Sequence, residues 1–352
     1  MFTRLVERGK AVAKPAGKDA KRVAARQAQQ ASRMRASRSA AHGQAVRAVP
    51  PMPRRSGRAG RVVYDLGGSE ELPGRKVRGE RDGPIDDAAA NDAFENTGIA
   101  LDFLREVFAR NSIDGRGAAI VSAVHYSFEF RNAFWNGERM IYGDGDESIG
   151  NFAANLDIVA HELCHGVSQY LIPGGLGVER VPVAEREFKE QRFRLEGQGG
   201  ALNESFCDVM ASLVKQWHAG QDVREADWLI GRRVLGRGVG RAVRSLRSPG
   251  NERVTWEGDQ QMRSMDQYFE GCEVHDASGI PNRAFYRAAL KIGGRAWLKA
   301  GPIWFEAYDG LDRRAQFADF ARATIGVARR RYGEGSVEHE AVVSAWRTVK
   351  VG

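Results

Sequence analysis

The stretch Asp157-Ile158-Val159-Ala160-His161-Glu162-Leu163-Cys164-His165-Gly166 sets two imidazoles four residues apart. On an α-helix, positions i and i+4 share a face, so His161 and His165 can point at one metal ion. Glu162, beside the first imidazole, is placed to take a proton from a water that the metal activates, without being a ligand itself. The flanks suit a buried helix: Ile158, Val159, Leu163 and Val167 are apolar, and Asp157 sits in the early turns. A hydrolytic zinc site needs a third protein ligand and keeps its fourth position for water. The run Gly200-Ala201-Leu202-Asn203-Glu204-Ser205-Phe206-Cys207-Asp208 offers Glu204 for that place. Asp208, one turn further along the same face, can accept a hydrogen bond from a ligand histidine and fix its ring.

These residues need a body to hold them. With 352 residues and 42% hydrophobic content, the chain can build two lobes with a sizeable core and carry a tail. No run approaches the length of apolar sequence that a membrane-spanning helix needs, so no membrane association is expected. Cys164, Cys207 and Cys272 are an odd number and form no disulfide framework; they read as small buried apolar residues. The formal charge of +8 is unevenly spread. Residues 1–61 carry 16 Lys/Arg against Glu7 and Asp19, a net of +14, while the remainder carries 37 basic and 43 acidic residues, a net of −6. The basicity belongs to the leader.

That leader is rich in Ala, Arg, Gln and Ser and runs into Val49-Pro50-Pro51-Met52-Pro53-Arg54-Arg55. It lacks the apolar stretch of a secretory signal, so Sec export is not expected; a cytoplasmic zymogen and a non-classical export route both stay open. Its composition loosely fits a transit peptide, and blocks of like charge also bind polyanions. With no aromatic residues interleaved for base stacking, only non-specific nucleic-acid binding would follow. The favoured expectation is a removable or inhibitory pro-segment.

From residue 62 the pattern becomes that of a folded body. Val62-Val63-Tyr64 reads as a strand, and Ala88 to Asn111 has helical spacing through Phe94, Ile99, Leu101, Phe103, Leu104 and Phe108. Ala118 to Phe130 alternates in places and reads as strand, with His125 structural. Asn136-Gly137 and Gly143-Asp144-Gly145 mark hairpin turns. Asp144 and Asp146 lack the spacing of a calcium loop and are assigned to a turn. Gly236-Arg237-Gly238-Val239-Gly240 follows no clear strand and is expected to be a flexible loop, not a dinucleotide site. From Ile280 the chain reads as helical, over Pro281–Ile292, 301–308, 315–332 and 336–349. The expected architecture is α+β and two-lobed: a mixed N-lobe over 62–170, a mainly helical C-lobe over 171–352, and the site helix between them.

Five motifs in this order give the chain a family likeness: Asn-Ala-Phe-Trp-Asn-Gly from Asn132, Tyr-Gly-Asp-Gly-Asp from Tyr142, His-Glu-Leu-x-His-Gly-Val from His161, Gly-Ala-Leu-Asn-Glu-Ser from Gly200 and Val-His-x-x-Ser-Gly-Ile from Val274. The chain resembles the thermolysin family of zinc metallopeptidases over roughly residues 62–350, and within it the protealysin-like branch, whose members carry a short pro-segment. The resemblance implies a zinc endopeptidase with His161, His165 and Glu204 as ligands, Glu162 as general base and Asp208 orienting a ligand histidine. It also implies that Asn132 and the Ala133 backbone hold the substrate main chain as a strand. His275 would stabilise the tetrahedral intermediate, and Arg244 would grip a substrate carbonyl on the primed side. Ile149, Phe152, Ile158 and Val243 match the apolar primed-side pocket, so cleavage before bulky apolar residues is expected. Peptides or proteins are the implied substrates, a proteinaceous inhibitor is an allowed partner, and a monomer is expected.

The chain also departs from the family pattern. His165 and Glu204 lie 39 residues apart, longer than usual, which points to an insertion within 171–197 containing a charged, helix-like run from Glu185 to Glu196. Where family members commonly carry a tyrosine that assists at the oxyanion, the ungapped position here is Leu195, with Tyr170 as a distant substitute. Asp157 and Asp227 remain of a family calcium site, but Lys215, Leu229 and Arg232 fall where other ligands would be, so zinc and not calcium is expected. These departures keep a catalytically weakened zinc-holding binding protein in view, and the leader keeps a polyanion-binding protein in view.

Overall fold

The computed structural model describes residues 57, 59–181 and 192–352. The expected leader therefore lies almost entirely outside the described residues, as does most of the Glu185–Glu196 run. The first strand, β1 (Arg61–Asp65), buries Val63 and pairs antiparallel with β2 (Arg75–Gly79). On its other side it runs parallel to β3 (Ile120–Val124), which in turn runs parallel to β5 (Met140–Tyr142). The strand β4 (Ala133–Trp135) closes the sheet antiparallel to β5, giving the order β2-β1-β3-β5-β4. The β4–β5 turn is built by Asn136, whose Oδ1 accepts the N–H groups of Glu138 and Arg139 at 3.0 and 2.9 Å.

The expected strand over 118–130 ends at Val124. His125, Ser127 and Glu129 adopt φ of 56°, 52° and 50°, so every second residue turns left-handed and the alternation does not extend a ladder. Tyr126, Phe130 and Phe134 pack edge to face beneath this loop, with ring centroids 5.2–6.3 Å apart. Its return path is so close that a Cβ on Gly143 would stand 1.9 Å from the Phe130 carbonyl oxygen, which requires glycine there.

Helix α1 (Ala88–Phe108) crosses the sheet with Ala93, Phe94, Leu101, Phe103 and Leu104 inward. Its N-cap, Asp87, accepts the Ala90 N–H at 3.1 Å and also bonds His125 Nε2 at 3.0 Å, while Asp144 lies 2.8 Å from His125 Nδ1. His125 thus ties the helix start to the 143–146 turn. The Asp144 hydrogen bond, reinforced by Asp87, outweighs partial burial and pushes the imidazole up to about 9. Because the folded value exceeds the unfolded one, this tie is fully present below about pH 6.5 and is lost as pH rises through about 9. The urea midpoint is expected to fall by about 1 kcal/mol equivalent between pH 7 and pH 10, after solvent screening is allowed for. A His125→Gln protein should lack that component of the slope; an unchanged slope would remove the tie from the account.

Helix α2 (Leu156–Leu171) lies against the sheet and α3 (Gly197–Ala219) lies against α2; both are buried along most of their length. Between them β6 (Val178–Val181) and β7 (Arg192–Leu195) form an antiparallel hairpin. This corrects the helix-like reading at its far end: residues 192–195 are strand, because their partner is β6 rather than their own neighbours in sequence. Gly177, at φ 67°, sits where a Cβ would meet the Gly200 nitrogen at 1.9 Å, so glycines bring the hairpin base onto the start of α3. A short ladder follows, β8 (Leu229–Ile230) with β9 (Arg244–Ser245).

The remainder is helical: α4 (Val274–Ala277), α5 (Gly279–Ile292), α6 (Ala300–Asp309), α7 (Phe317–Tyr332) and α8 (Val337–Thr348). Tyr308 stacks on Phe206 with centroids 3.8 Å apart and shares a 2.7 Å hydrogen bond with Ser168, which ties α6 to both α2 and α3. Trp304 and Trp346 stack at 6.1 Å in the same core. A mixed-sheet N-lobe thus meets a helical C-lobe, with α2 and α3 between them. No helix among the described residues is long and apolar enough to cross a membrane.

Candidate functional site

Helices α2 and α3 deliver the candidate ligand set. His161 and His165 sit one turn apart on α2 with ring centroids 4.9 Å apart, and Glu204 faces them from α3. The candidate ligand atoms of His161, His165 and Glu204 lie within 4.8 Å of one another, and all three residues are buried. Glu204 has His161 Nε2 at 3.4 Å, His165 Nε2 at 3.7 Å and His275 Nε2 at 3.3 Å around it. Even so, neither of its oxygens takes a hydrogen bond among the described residues. A buried carboxylate ringed by imidazole nitrogens but not hydrogen-bonded is what a cation-binding donor set leaves when seen alone. Two imidazoles and a carboxylate also match zinc's preferences in a hydrolytic site. The residues fit the metal.

The supports behind these ligands fix their rings. His161 Nδ1 lies 3.0 Å from Asp208 Oδ1, and His165 Nδ1 lies 3.1 Å from Asn203 Oδ1 and 3.4 Å from Cys207 Sγ. A proton held on each Nδ1 leaves each Nε2 lone pair facing Glu204 and the metal position. Asp208 also takes Arg244 Nε at 2.9 Å, Arg244 Nη2 at 2.6 Å and Asn282 Nδ2 at 2.8 Å. Burial alone would raise the Asp208 and Glu204 carboxyls. Arg244 outweighs it at Asp208, and the three imidazoles outweigh it at Glu204, which is held well below the usual range. Burial would likewise lower His161, but Asp208 and Glu204 hold it at about 9. The same field that favours a proton on His161 favours a metal cation in front of it.

Glu162 comes from α2 and is met by the sheet. Its Oε2 accepts the Trp135 N–H at 3.1 Å, and the Trp135 indole donates to Gln169 at 3.0 Å. In β4 the residues alternate. Asn132 and Asn136 face β5, where the Gly143 N–H reaches the Asn132 carbonyl at 3.0 Å and the Asn136 N–H reaches the Arg139 carbonyl. Ala133 and Trp135 turn their N–H groups the other way, to Asn132 Oδ1 and Glu162. The outer edge of β4, an edge strand, therefore passes directly in front of Glu162.

His275 approaches from α4. Glu273 clasps it twice, accepting its ring Nδ1 at 2.6 Å and its backbone N–H at 3.0 Å. Burial would raise the Glu273 carboxyl, but the neighbouring His275 brings it well below the ordinary range. The sequence reading missed Glu273; its only sequence signal is an acid two residues before the histidine. Asn203, Cys207 and Asn282 were missed as supports for a different reason: their partners are distant in sequence. Leu195 ends β7 beside Gly200 and Val274. Tyr170 sits in the field of Asp114 and Arg116.

Lys215 occupies the position between the acids read as remnants of a calcium site. Its Nζ lies 2.8 Å from Asp227, 3.4 Å from Asp157 and 2.5 Å from the Leu229 carbonyl. Asp157 also accepts the Gly231 N–H at 3.0 Å. An ammonium supplies the positive charge there.

Two family models match the chain: the thermolysin metallopeptidase catalytic domain over residues 56–169 and its alpha-helical domain over residues 192–351. The interval between them holds β6, and β7 opens the second match. An extracellular metalloprotease from Pectobacterium carotovorum subsp. carotovorum is 40% identical over 306 residues, covering 84% of this chain and 82% of that one. Protease PrtS from Photorhabdus sp. (strain Az29) is 36% identical over 303 residues, covering 83% and 76%. Among solved structures, the precursor of protealysin, a metalloproteinase from Serratia proteamaculans, superposes with a TM-score of 0.75 at 38% identity, covering 88% of this chain and 92% of that one. With the His161, His165 and Glu204 cluster in place, the chain belongs to the thermolysin family and is a zinc metalloendopeptidase.

Proposed function

We propose that the protein hydrolyses internal peptide bonds with His161, His165 and Glu204 holding zinc and Glu162 acting as general base. The observation that carries this reading is Glu162 itself: buried, beside the first ligand, and joined through Trp135 to the edge strand. When bound, zinc supplies Lewis acidity that lowers the pKa of water and polarises a carbonyl. The chain's own groups do the rest. An extended substrate adds to the outer edge of β4, with Asn132 and the Ala133 backbone as main-chain partners. Glu162 takes the proton of the attacking water and passes it to the departing amine. His275, held by Glu273, donates from Nε2 to the developing oxyanion, and Arg244, braced on Asp208, meets a primed-side carbonyl. The buried apolar residues Ile149, Phe152, Ile158 and Val243 support a preference for bulky apolar residues after the cut. Asp208 positions the His161 ring.

We further propose that the basic leader ahead of β1, which begins at Arg61, is a pro-segment removed by the enzyme itself, acting as a monomer. Casein hydrolysis by the purified full-length protein tests both ideas. Cleavage should stop with 1,10-phenanthroline and return with stoichiometric zinc, and N-terminal sequencing should show loss of the leader only in active protein. A zinc-loaded, leader-trimmed protein that leaves casein intact would overturn the peptidase reading in favour of a zinc-holding binding protein. Calcium has no part in the proposal, because Lys215, between Asp157 and Asp227, and Arg232, 3.6 Å from Asp227, already balance the two acids. Millimolar calcium is expected to leave the melting temperature unchanged, and a clear rise would contradict that assignment.

A further inference from the structure

Between Gly231 and Arg253 the chain carries seven arginines and one acidic residue, Glu252, a net of +6 within a body whose residues 62–352 sum to −6. Two of the seven are committed: Arg244 is buried on Asp208 at 2.6 Å, and Arg232 lies 3.6 Å from Asp227. Arg233, Arg237, Arg241, Arg247 and Arg253 are exposed, and among the described residues none of them forms an ion pair. The carboxylate of Glu252 accepts the Gly258 N–H at 2.9 Å. Like charges crowded in this way repel one another, and an anionic partner would relieve that repulsion.

The fold lays the backbone of this segment against residues 148–150 and 255–256. Leu235 bridges Ile149, the Gly150 N–H reaches the Val234 carbonyl at 2.8 Å, and the Gly236 N–H reaches Ser148 at 2.8 Å. The start of the segment is thus laid along residues 148–150. A turn closed by the Val239 N–H on Gly236 sets Arg237 and Arg241 near its two ends. Gly240 then bridges Trp256, and the Arg241 N–H donates to Thr255 at 2.7 Å, which brings Arg241 toward the loop that carries Arg253. Only Ala242 and Val243 separate exposed Arg241 from buried Arg244.

We propose that this segment is a docking surface for acidic stretches of protein substrates, continuous with the side of the cleft that Ile149, Val243 and Arg244 line. The proposal rests on the peptidase reading above and names a class of substrate for it. The protein's own leader, at +14, has the wrong sign to be the occupant. Nucleic acid is disfavoured because residues 231–253 contain no aromatic side chain on which a base could stack. An acidic stretch of the substrate is favoured by continuity: it is tethered to the peptide in the cleft, which raises its effective concentration at the arginines.

The test uses two peptides with the same scissile sequence and a short primed-side tail of either Glu or Gln. For the wild type at low salt, the Glu tail should improve kcat/KM about tenfold, mainly through KM, and the advantage should fade as salt rises. Arg233→Glu/Arg237→Glu/Arg241→Glu should abolish the preference while leaving turnover of the Gln-tailed peptide unchanged. The corresponding triple Gln variant, a milder change, should lose part of it. Fluorescence anisotropy on the Glu162→Gln protein reads binding independently of turnover and should rank the peptides the same way. Equal handling of both peptides, a preference that survives the triple reversal, or displacement of the acidic peptide by a weaker-charged thymidine oligonucleotide would overturn the proposal. Salt-sensitive preference in binding with neither peptide cleaved by the wild type would support the surface and overturn the peptidase reading instead.

Discussion

Glu162→Gln is expected to lower kcat/KM for peptide hydrolysis by roughly 10²–10⁴-fold while leaving zinc content and melting temperature as in the wild type. The substitution keeps the size of the side chain, and its amide oxygen can still accept the Trp135 N–H that reaches Glu162 at 3.1 Å. The junction between α2 and β4 should therefore survive. What disappears is basicity, because an amide cannot take the proton of the attacking water. Zinc should be retained because the group that could hold a metal ion is His161, His165 and Glu204, and Glu162 is not one of the three. Atomic absorption, thermal melting and steady-state kinetics on the same preparation separate these effects. A variant that loses zinc would make Glu162 a structural partner of the metal site. One that keeps zinc and near-normal turnover would place the base elsewhere.

What could be read from the sequence is largely what helices encode locally. The i,i+4 spacing placed His161 with His165 and Glu204 with Asp208, and each pair lies on one helix face because α2 and α3 form where their apolar spacing says. The order of motifs gave the family and the two-lobed fold. The missed parts depend on residues distant in sequence. The β6–β7 hairpin is set by cross-strand pairing, so the charged residues before Glu196 looked helical when read alone. The left-handed turns at His125, Ser127 and Glu129 interrupt an alternation that composition alone would continue. Asn282 reaches Asp208 from α5, 74 residues along the chain, and no local pattern announces it. Glu273 could have been suspected, but an acid two residues from a histidine becomes a clasp only when the backbone turns there.

Those non-local partners converge on Asp208, and its removal is expected to have the largest effect on stability. Asp208→Ala should destabilise the fold by about 3–5 kcal/mol, because it strips a fully buried arginine of its counter-ion. Arg244 would be left with the longer-range attraction of Glu204 and Glu162 in place of its direct ion pair, and Asn282 and His161 Nδ1 would each lose an acceptor at 2.8 and 3.0 Å. Zinc affinity should also fall roughly 10–100-fold, since nothing would then hold the His161 proton on Nδ1. The two losses can be separated. Adding Arg244→Leu to Asp208→Ala removes the stranded charge and should recover much of the stability in urea titrations. It restores no acceptor to His161, so zinc affinity, measured by competition with a chelator, should stay low. If both quantities recover together, the weaker zinc binding was a by-product of a distorted fold, and Asp208 acts on Arg244 alone. If stability returns while affinity does not, Asp208 has two separable roles: counter-ion for the arginine and anchor for the first zinc ligand.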